Sequence, residues 1–193
     1  MVKSFEMLSA RIGHMFDKPL SSLAKKINIS PNMITVTGSL ITLAAAFMIP
    51  RSLISGGLLI LFSGLFDMLD GIVARVNNRA TKFGAFLDSV LDRYSDSFLL
   101  IGFSWYFFMN SSAQGCFLSI ATLAGSLIIS YAKARAEALG QGCNVGIIER
   151  PERIIIMAAG ALTGWVMPMI WVLFVLTHIT VAQRVHHVWK EMR

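Results

Sequence analysis

The sequence predicts an all-α integral membrane protein with six transmembrane helices and an N-terminal amphipathic helix at the membrane interface. Of its 193 residues, 55% are hydrophobic and only 15% are charged, which excludes an ordinary water-soluble domain. Apolar runs long enough to cross a bilayer recur along the chain. Lys and Arg outnumber Asp and Glu by 17 to 11, but apolar runs interrupt them. We therefore expect an anionic membrane surface, and no nucleic acid, as the partner.

The first 29 residues form the predicted interfacial leader. Apolar residues recur at helical spacing from Phe5 to Phe16 with charged residues between them, as in a helix that lies in the interface plane. Pro19 ends this pattern. Ser30 and Pro31 then have the residue types of an N-cap and a first helical turn. We divide the chain into a leader, 1–29, and a transmembrane catalytic domain, 30–193.

Six apolar runs follow the leader. The last two are weakly separated, between Gly164 and Pro168, so five helices with one long bent helix is the alternative count. Basic residues cluster in four segments, whereas the turns near Asn110 and Met167 carry none. The positive-inside rule then predicts cytoplasmic termini and an even number of spans in the cell membrane. The predicted spans are 33–50, 53–74, 84–109, 113–136, 152–168 and 169–189.

Five of the six aspartates fall on the ends of two predicted spans. Their spacing is i, i+3 on the second span and i, i+4, i+8 on the third, so each set shares one helix face. Carboxylates within membrane helices are costly unless they face a cation, a cavity or a partner. These aspartates are therefore the candidate functional residues: Asp67, Asp70, Asp88, Asp92 and Asp96.

Four converging carboxylates without His or Cys suit Mg²⁺ or Mn²⁺ and could hold two ions. Two such ions would serve phosphoryl transfer, because they stabilise the attacking and leaving oxygens of an in-line displacement. The predicted metal ligands are Asp67, Asp70, Asp88 and Asp92. A set of aspartates paired with arginine at a helix end is the structural alternative.

These aspartates and their neighbours also resemble the sequence signature of a known protein family. Asp67, Asp70, Gly71, Ala74 and Arg75, with Gly84, Asp88 and Asp92 at fixed spacing, resemble the signature D-x2-D-G-x2-A-R-x8-G-x3-D-x3-D of the CDP-alcohol phosphotransferases. The resemblance implies transfer of a phosphatidyl-type group from a CDP-linked lipid to an alcohol, with release of CMP. Asp92 would be a shared metal ligand or the catalytic base. Members of the family are commonly homodimers. The implied CDP-lipid site comprises Pro31, Asn32, Thr35, Asp70, Gly71, Ala74, Arg75 and Thr81.

Basic residues near the ends of the last three spans indicate the acceptor. A guanidinium binds phosphate oxygens as a fork, so a cluster that includes Arg150 suits a phosphorylated alcohol. Basic residues that only obey the positive-inside rule are the alternative. The local sequences around these residues are similar to the phosphatidylinositol-phosphate synthase branch, which implies inositol 1-phosphate as the acceptor and CDP-diacylglycerol or an ether-lipid analogue as the donor. The implied acceptor site comprises Lys133, Arg135, Arg153, Arg184 and Asp96.

Two other functions stay open at this point. A phosphatidylglycerophosphate synthase, which uses glycerol 3-phosphate, shares Glu149 and Arg150 and the general pattern. A divalent-cation transporter would also place aspartates within helices, but it should carry polar groups through both membrane halves. Here the charged residues crowd toward the cytoplasmic side, which disfavours transport.

Overall fold

The computed structural model describes residues 29–77 and 79–193, so the predicted leader lies, apart from Ile29, outside the described residues. The described residues form six helices and no strand, which confirms the predicted helix count over the alternative of five. The helices are α1 Pro31–Met48, α2 Leu53–Val76, α3 Lys82–Met109, α4 Ala113–Ala138, α5 Arg150–Thr163 and α6 Val166–Glu191.

Side-chain caps determine where the first helices begin. The Ser30 hydroxyl accepts a hydrogen bond from the Met33 N–H, and Pro31 occupies the first turn of α1 as predicted. Thr81 caps α3 by accepting a 2.9 Å hydrogen bond from the Gly84 N–H. Each cap satisfies a backbone N–H that has no partner within its own helix.

The boundary between α5 and α6 differs from the prediction. The fifth helix ends at Thr163 rather than near 168, because Gly164 adopts a left-handed conformation with φ 74° that ends the helix. The next helix begins at Val166 and takes Pro168 into its first turn, where proline does no harm to the helical hydrogen bonds. The fifth helix therefore ends five residues earlier, and the sixth begins three residues earlier, than hydrophobicity suggests.

The six helices form a closed ring in the order α1, α2, α5, α6, α4, α3, with each helix packed against the next. Odd-numbered helices begin, and even-numbered helices end, at the same end of the ring. We call this the site end, because it carries the candidate residues. The main hydrophobic core fills the ring away from the site end, around Phe103, Met157 and Ile170. Gly57 allows α2 and α5 to approach closely, because a Cβ there would lie 2.8 Å from Leu162.

Four helices of the described chain, α1, α2, α4 and α6, are long and apolar enough to cross a membrane. Large hydrophobic side chains such as Leu40, Phe62, Phe117 and Val175 lie exposed on these helices, as lipid-facing residues do. The chain is therefore a membrane protein. The fifth helix has 14 residues, about 21 Å of rise, and α3 carries three of the five candidate aspartates, Asp88, Asp92 and Asp96.

Candidate active site

The site end brings together the C-terminal part of α2 and the N-terminal parts of α3 and α5. The aspartates of α2 and α3 face each other there, and the basic residues of α4, α5 and α6 lie beside them. This juxtaposition follows from the ring order, since α2 contacts α5 while α3 contacts α4. The predicted convergence of two acidic faces and one basic cluster at one end is thus present.

The four predicted metal ligands are close enough to repel one another. The Asp88 carboxylate interacts with those of Asp67, Asp70 and Asp92. The side chain of Asp70 is buried, and its Oδ2 atom has no hydrogen-bond partner. The Thr35 hydroxyl, which donates to the Pro31 carbonyl, lies beside the same carboxylate. Gly38 makes room for this contact between α1 and α2, because its position lies close to Phe66 and Asp67.

A guanidinium group links the two acidic faces. The NH1 atom of Arg150 lies 2.7 Å from Asp67 Oδ2 and 2.9 Å from Asp92 Oδ1. Sequence analysis placed Arg150 among the phosphate-binding residues, and its alternative of aspartates paired with arginine did not name the partners in this bridge. No spacing in the sequence could have revealed it, because the contact depends on how α5 packs against α2 and α3. In the described part of the chain, no three Asp, Glu, His or Cys side chains form a ready metal-ligand cluster as they stand.

A second ion pair lies deeper in the ring. The Asp96 side chain is almost fully buried and accepts hydrogen bonds at Oδ2 from Arg153 NH2 and from the Ser126 hydroxyl. Its Oδ1 atom lies 3.6 Å from Arg150 Nε, an ion pair that is too long to be a hydrogen bond. These contacts join α3, α4 and α5. Asp96 therefore orients arginine side chains here, and a contact with the acceptor stays a prediction.

The basic residues surround a cleft of about 190 Å³ that also reaches Asp92. Lys133, Arg153 and Arg184 line this cleft, together with Arg150. Arg135 does not line it and is exposed near the end of α4. The structure therefore places three of the four predicted acceptor-binding basic residues around one cleft.

Arg184 is held in place by the backbone. Its NH1 atom donates to the Ile129 carbonyl at 2.6 Å, and its Nε atom donates to the Val145 carbonyl at 2.9 Å. The Thr180 hydroxyl, one turn earlier in α6, accepts from the Ile148 N–H. These bonds fasten the segment between α4 and α5 to α6, and so fix one wall of the cleft.

A larger cavity of about 890 Å³ runs along α3 and α4 and meets the basic cleft at Asp92, Arg93, Ser130 and Lys133. Phe86, Val90, Leu127 and Tyr131 give it large apolar or aromatic surfaces, beside charged side chains such as Lys133 and Glu137. None of the predicted CDP-lipid residues lines it. Asp92 is thus reached from two cavities of different polarity.

The predicted CDP-lipid residues gather where α1 begins, α2 ends and α3 begins. Ile34 packs against Ile72 and Val73, which holds the first turns of α1 against the end of α2. A Cβ at Gly84 would lie 2.9 Å from Asn32 Oδ1 and 3.0 Å from Thr81 Oγ1, so this glycine permits the contact between α1 and α3. At Gly71 a Cβ would lie 3.4 Å from Arg75 NH1. The role of these residues in binding a CDP-lipid stays a prediction.

The carboxylates fit a divalent cation. A buried oxygen without a donor, as at Asp70 Oδ2, is a group that a cation satisfies. Several mutually repelling carboxylates with no Cys or His among them make a hard-oxygen site of the kind that Mg²⁺ and Mn²⁺ prefer.

A ring of apolar helices that holds these carboxylates beside a basic cleft defines a membrane enzyme that acts on phosphorylated substrates. The CDP-alcohol phosphatidyltransferase family model matches residues 28–184. The chain belongs to this family, as the signature in α2 and α3 indicated.

Several named relatives match over nearly the whole chain. The archaetidylinositol phosphate synthase of Methanothermobacter thermautotrophicus is 42% identical over 90% of this chain and 90% of its own. The phosphatidylinositol phosphate synthase of Mycobacteroides abscessus is 38% identical over 94% of this chain and 87% of its own.

Solved structures of the Mycobacterium tuberculosis phosphatidylinositol phosphate synthase have a similar fold. The structure with CDP-DAG bound is 34% identical, with a TM-score of 0.80 over 90% of this chain and 93% of that chain. The structure in complex with manganese and citrate is also 34% identical and has a TM-score of 0.81, covering 90% of this chain and 88% of that chain. That relative therefore binds manganese.

Proposed function

We propose that this chain transfers the phosphatidyl group of CDP-diacylglycerol, or the corresponding group of an ether-lipid analogue, to inositol 1-phosphate and releases CMP. The observation that carries the proposal is the meeting of the acidic signature and the basic cleft at Asp92. The similarity to phosphatidylinositol and archaetidylinositol phosphate synthases supports this acceptor.

In the proposed reaction, a hydroxyl oxygen of the acceptor forms a bond to the phosphorus that carries the lipid, and the bond from that phosphorus to the bridging oxygen of CMP breaks. Asp67, Asp70, Asp88 and Asp92 would hold two Mg²⁺ or Mn²⁺ ions. When bound, such ions neutralise the diphosphate and stabilise the leaving CMP.

The chain's own residues then position the two substrates. The eight predicted CDP-lipid residues, of which Pro31 is the first and Thr81 the last, would bind the CDP part of the donor where α1, α2 and α3 meet. Lys133, Arg153 and Arg184 would hold the acceptor phosphate, leaving its hydroxyl groups toward Asp92. Asp92, which borders both cavities, would accept the hydroxyl proton if it is not fully engaged as a metal ligand.

The test is CMP release by the purified chain with Mg²⁺ or Mn²⁺. CDP-diacylglycerol and its ether-lipid analogue are each combined with inositol 1-phosphate, glycerol 3-phosphate, free inositol or serine. We expect release with inositol 1-phosphate and none with free inositol. Release with glycerol 3-phosphate alone would agree with the proposed acidic site but would show that the acceptor is glycerol 3-phosphate and not inositol 1-phosphate. No release with any pair would contradict the proposal.

Asp88→Asn is the matched control for this assay. It keeps the size of the side chain while it removes one proposed metal ligand, so we expect CMP release to fall by a factor of 100 or more, about 2.7 kcal/mol of transition-state stabilisation. Gel filtration in detergent should show the variant folded. Full activity in Asp88→Asn would contradict the proposed metal site.

We also propose that all six helices span the cell membrane, with the site end and both termini on the cytoplasmic side, and that two copies form a homodimer. The alternating helix directions and the basic residues at the site end support this orientation. The shortness of α5 is compatible with a span because α2 and α6 flank it in the ring. Cross-linking in native membranes tests the dimer.

A further inference from the structure

Arg150 is the first residue of α5, and its guanidinium reaches carboxylates on two other helices. Its NH1 atom contacts both Asp67 and Asp92, whereas its Nε atom is buried without a hydrogen-bond partner and has Asp96 at 3.6 Å. The Arg150 side chain is 20% exposed. The guanidinium is thus well bound at one nitrogen and poorly satisfied at another.

We propose that Arg150 competes with the divalent cations for Asp67 and Asp92. This inference rests on the proposed function, in which both aspartates are metal ligands. A carboxylate oxygen that accepts a hydrogen bond at 2.7 or 2.9 Å has that lone pair engaged. A positive guanidinium beside these oxygens also repels a divalent ion. Metal binding at these same two oxygens, Asp67 Oδ2 and Asp92 Oδ1, therefore requires Arg150 to release at least one of the two carboxylates.

The released side chain has a defined destination. Arg150 already lines the basic cleft with Lys133, Arg153 and Arg184. Once released from the aspartates, its guanidinium is free within this cleft, where it adds a donor fork for a phosphate group. Metal binding and phosphate binding are then coupled through one side chain, and the coupling acts equally in both directions.

The first experiment measures Mn²⁺ binding to the full chain in detergent by isothermal titration calorimetry. In Arg150→Gln the competing charge is gone, so we expect the Kd for Mn²⁺ to decrease about tenfold, within the usual range of coupling between sites. Arg150→Lys keeps the charge and should stay within about threefold of the wild type. An unchanged or increased Kd in Arg150→Gln would overturn the proposal. It would indicate instead that the bridge positions the aspartates.

Arg93→Gln is the matched control. Arg93 NH1 lies 4.0 Å from Asp92 Oδ2, and its side chain is more exposed, at 38%. The variant removes one positive charge beside the same aspartate without removing the bridge, so the Kd should change less than twofold. A decrease as large as that in Arg150→Gln would mean that overall charge, and not the bridge, controls the affinity.

The second experiment measures inorganic phosphate binding with and without saturating Mn²⁺. In the wild type, Mn²⁺ should raise phosphate affinity, and in Arg150→Gln this increase should be at least threefold smaller. An equal increase in both proteins would overturn the link to the cleft. If Arg150→Gln folds only in the presence of Mn²⁺, its release of Mn²⁺ to a chelator is timed instead. Release slower than in Arg150→Lys supports competition, and equal or faster release overturns it.

Failure of the proposed function has a different signature. Asp88→Asn should lose Mn²⁺ binding, and wild-type protein that binds no Mn²⁺ would contradict the proposed metal site itself. Normal binding by the wild type, together with an unchanged Kd in Arg150→Gln, would contradict the competition alone.

Discussion

Arg184 shows how a single side chain at the site end combines two tasks. It lines the basic cleft, and it also donates hydrogen bonds to two backbone carbonyls, of Ile129 and Val145. A guanidinium has five N–H donors, so it can fix a segment of backbone and still present donors to a phosphate. Lys133 lines the same cleft from α4 and offers a point of comparison.

We predict that Arg184→Ala weakens both acceptor binding and the fold. The KM for the acceptor should rise, and the loss of two charge-assisted hydrogen bonds should lower the free energy of unfolding by about 3 kcal/mol or more. Lys133→Ala should raise the KM with little change in the melting temperature. Steady-state kinetics and thermal melting in detergent check both variants. An Arg184→Ala protein that melts like the wild type would show that the backbone contacts do not stabilise the segment.

The sequence predicted the spatial convergence of the acidic residues better than that of the basic ones. Asp67, Asp70, Asp88 and Asp92 lie within reach of one another, because their spacing fixes one face on each of two adjacent helices. The partners of Arg150 and the exposure of Arg135 were not predicted. A long basic side chain near a helix end reaches many groups, and the choice among them depends on the packing of α5 against its neighbours.

At the scale of elements, the beginning of α3 is the most constrained part of the site end. Thr81 caps the helix. Because Gly84 has no side chain, Asn32 of α1 can approach the α3 backbone closely at this position. The two signature helices are thereby held against α1, where the CDP-lipid site is proposed.

We predict that Gly84→Ala raises the KM for the CDP-lipid by about fivefold or more, roughly 1 kcal/mol, because the added Cβ would displace Asn32 or Thr81. Gly142→Ala is the matched control, since a Cβ at this position meets nothing within 4 Å. Initial rates over a range of donor concentrations check both. Equal KM values in the two variants would contradict a tight contact between α1 and α3.

Helix starts were predicted within three residues, because Ser30 with Pro31 and the apolar periodicity mark them. The end of α5 was placed five residues too late. Hydrophobicity continues through Trp165, Val166 and Met167, so it cannot mark a chain reversal in that stretch. The reversal depends on the left-handed backbone at Gly164, a conformation that glycine permits but does not require.

On the scale of the whole molecule, consecutive helices alternate in direction along the chain. Every helix therefore has one end at the site end of the bundle and the other end on the opposite face. The exposed Gln114 and Glu137 lie near opposite ends of α4. In the proposed orientation they face opposite sides of the membrane.

We predict that Gln114→Cys is labelled by a membrane-impermeant maleimide in intact cells and that Glu137→Cys is labelled only after the membrane is opened. Both are made in a chain whose Cys116 and Cys143 are replaced by alanine, and CMP release should confirm that this background is active. The reverse pattern of labelling would invert the proposed topology.

The buried ion pair between α3 and α5 has a consequence for how this chain is made. Asp96 and Arg153 are separated by 57 residues, so at about 5–20 residues per second the ribosome delivers the arginine about 3–11 s after the carboxylate. Ser126, 30 residues after Asp96, arrives earlier and supplies the first hydrogen-bond donor. Until α5 emerges, α3 carries an acidic group without its ionic partner. Release of α3 into lipid should therefore be delayed, and the nascent chain should stay at the insertion machinery until the arginine has been synthesised.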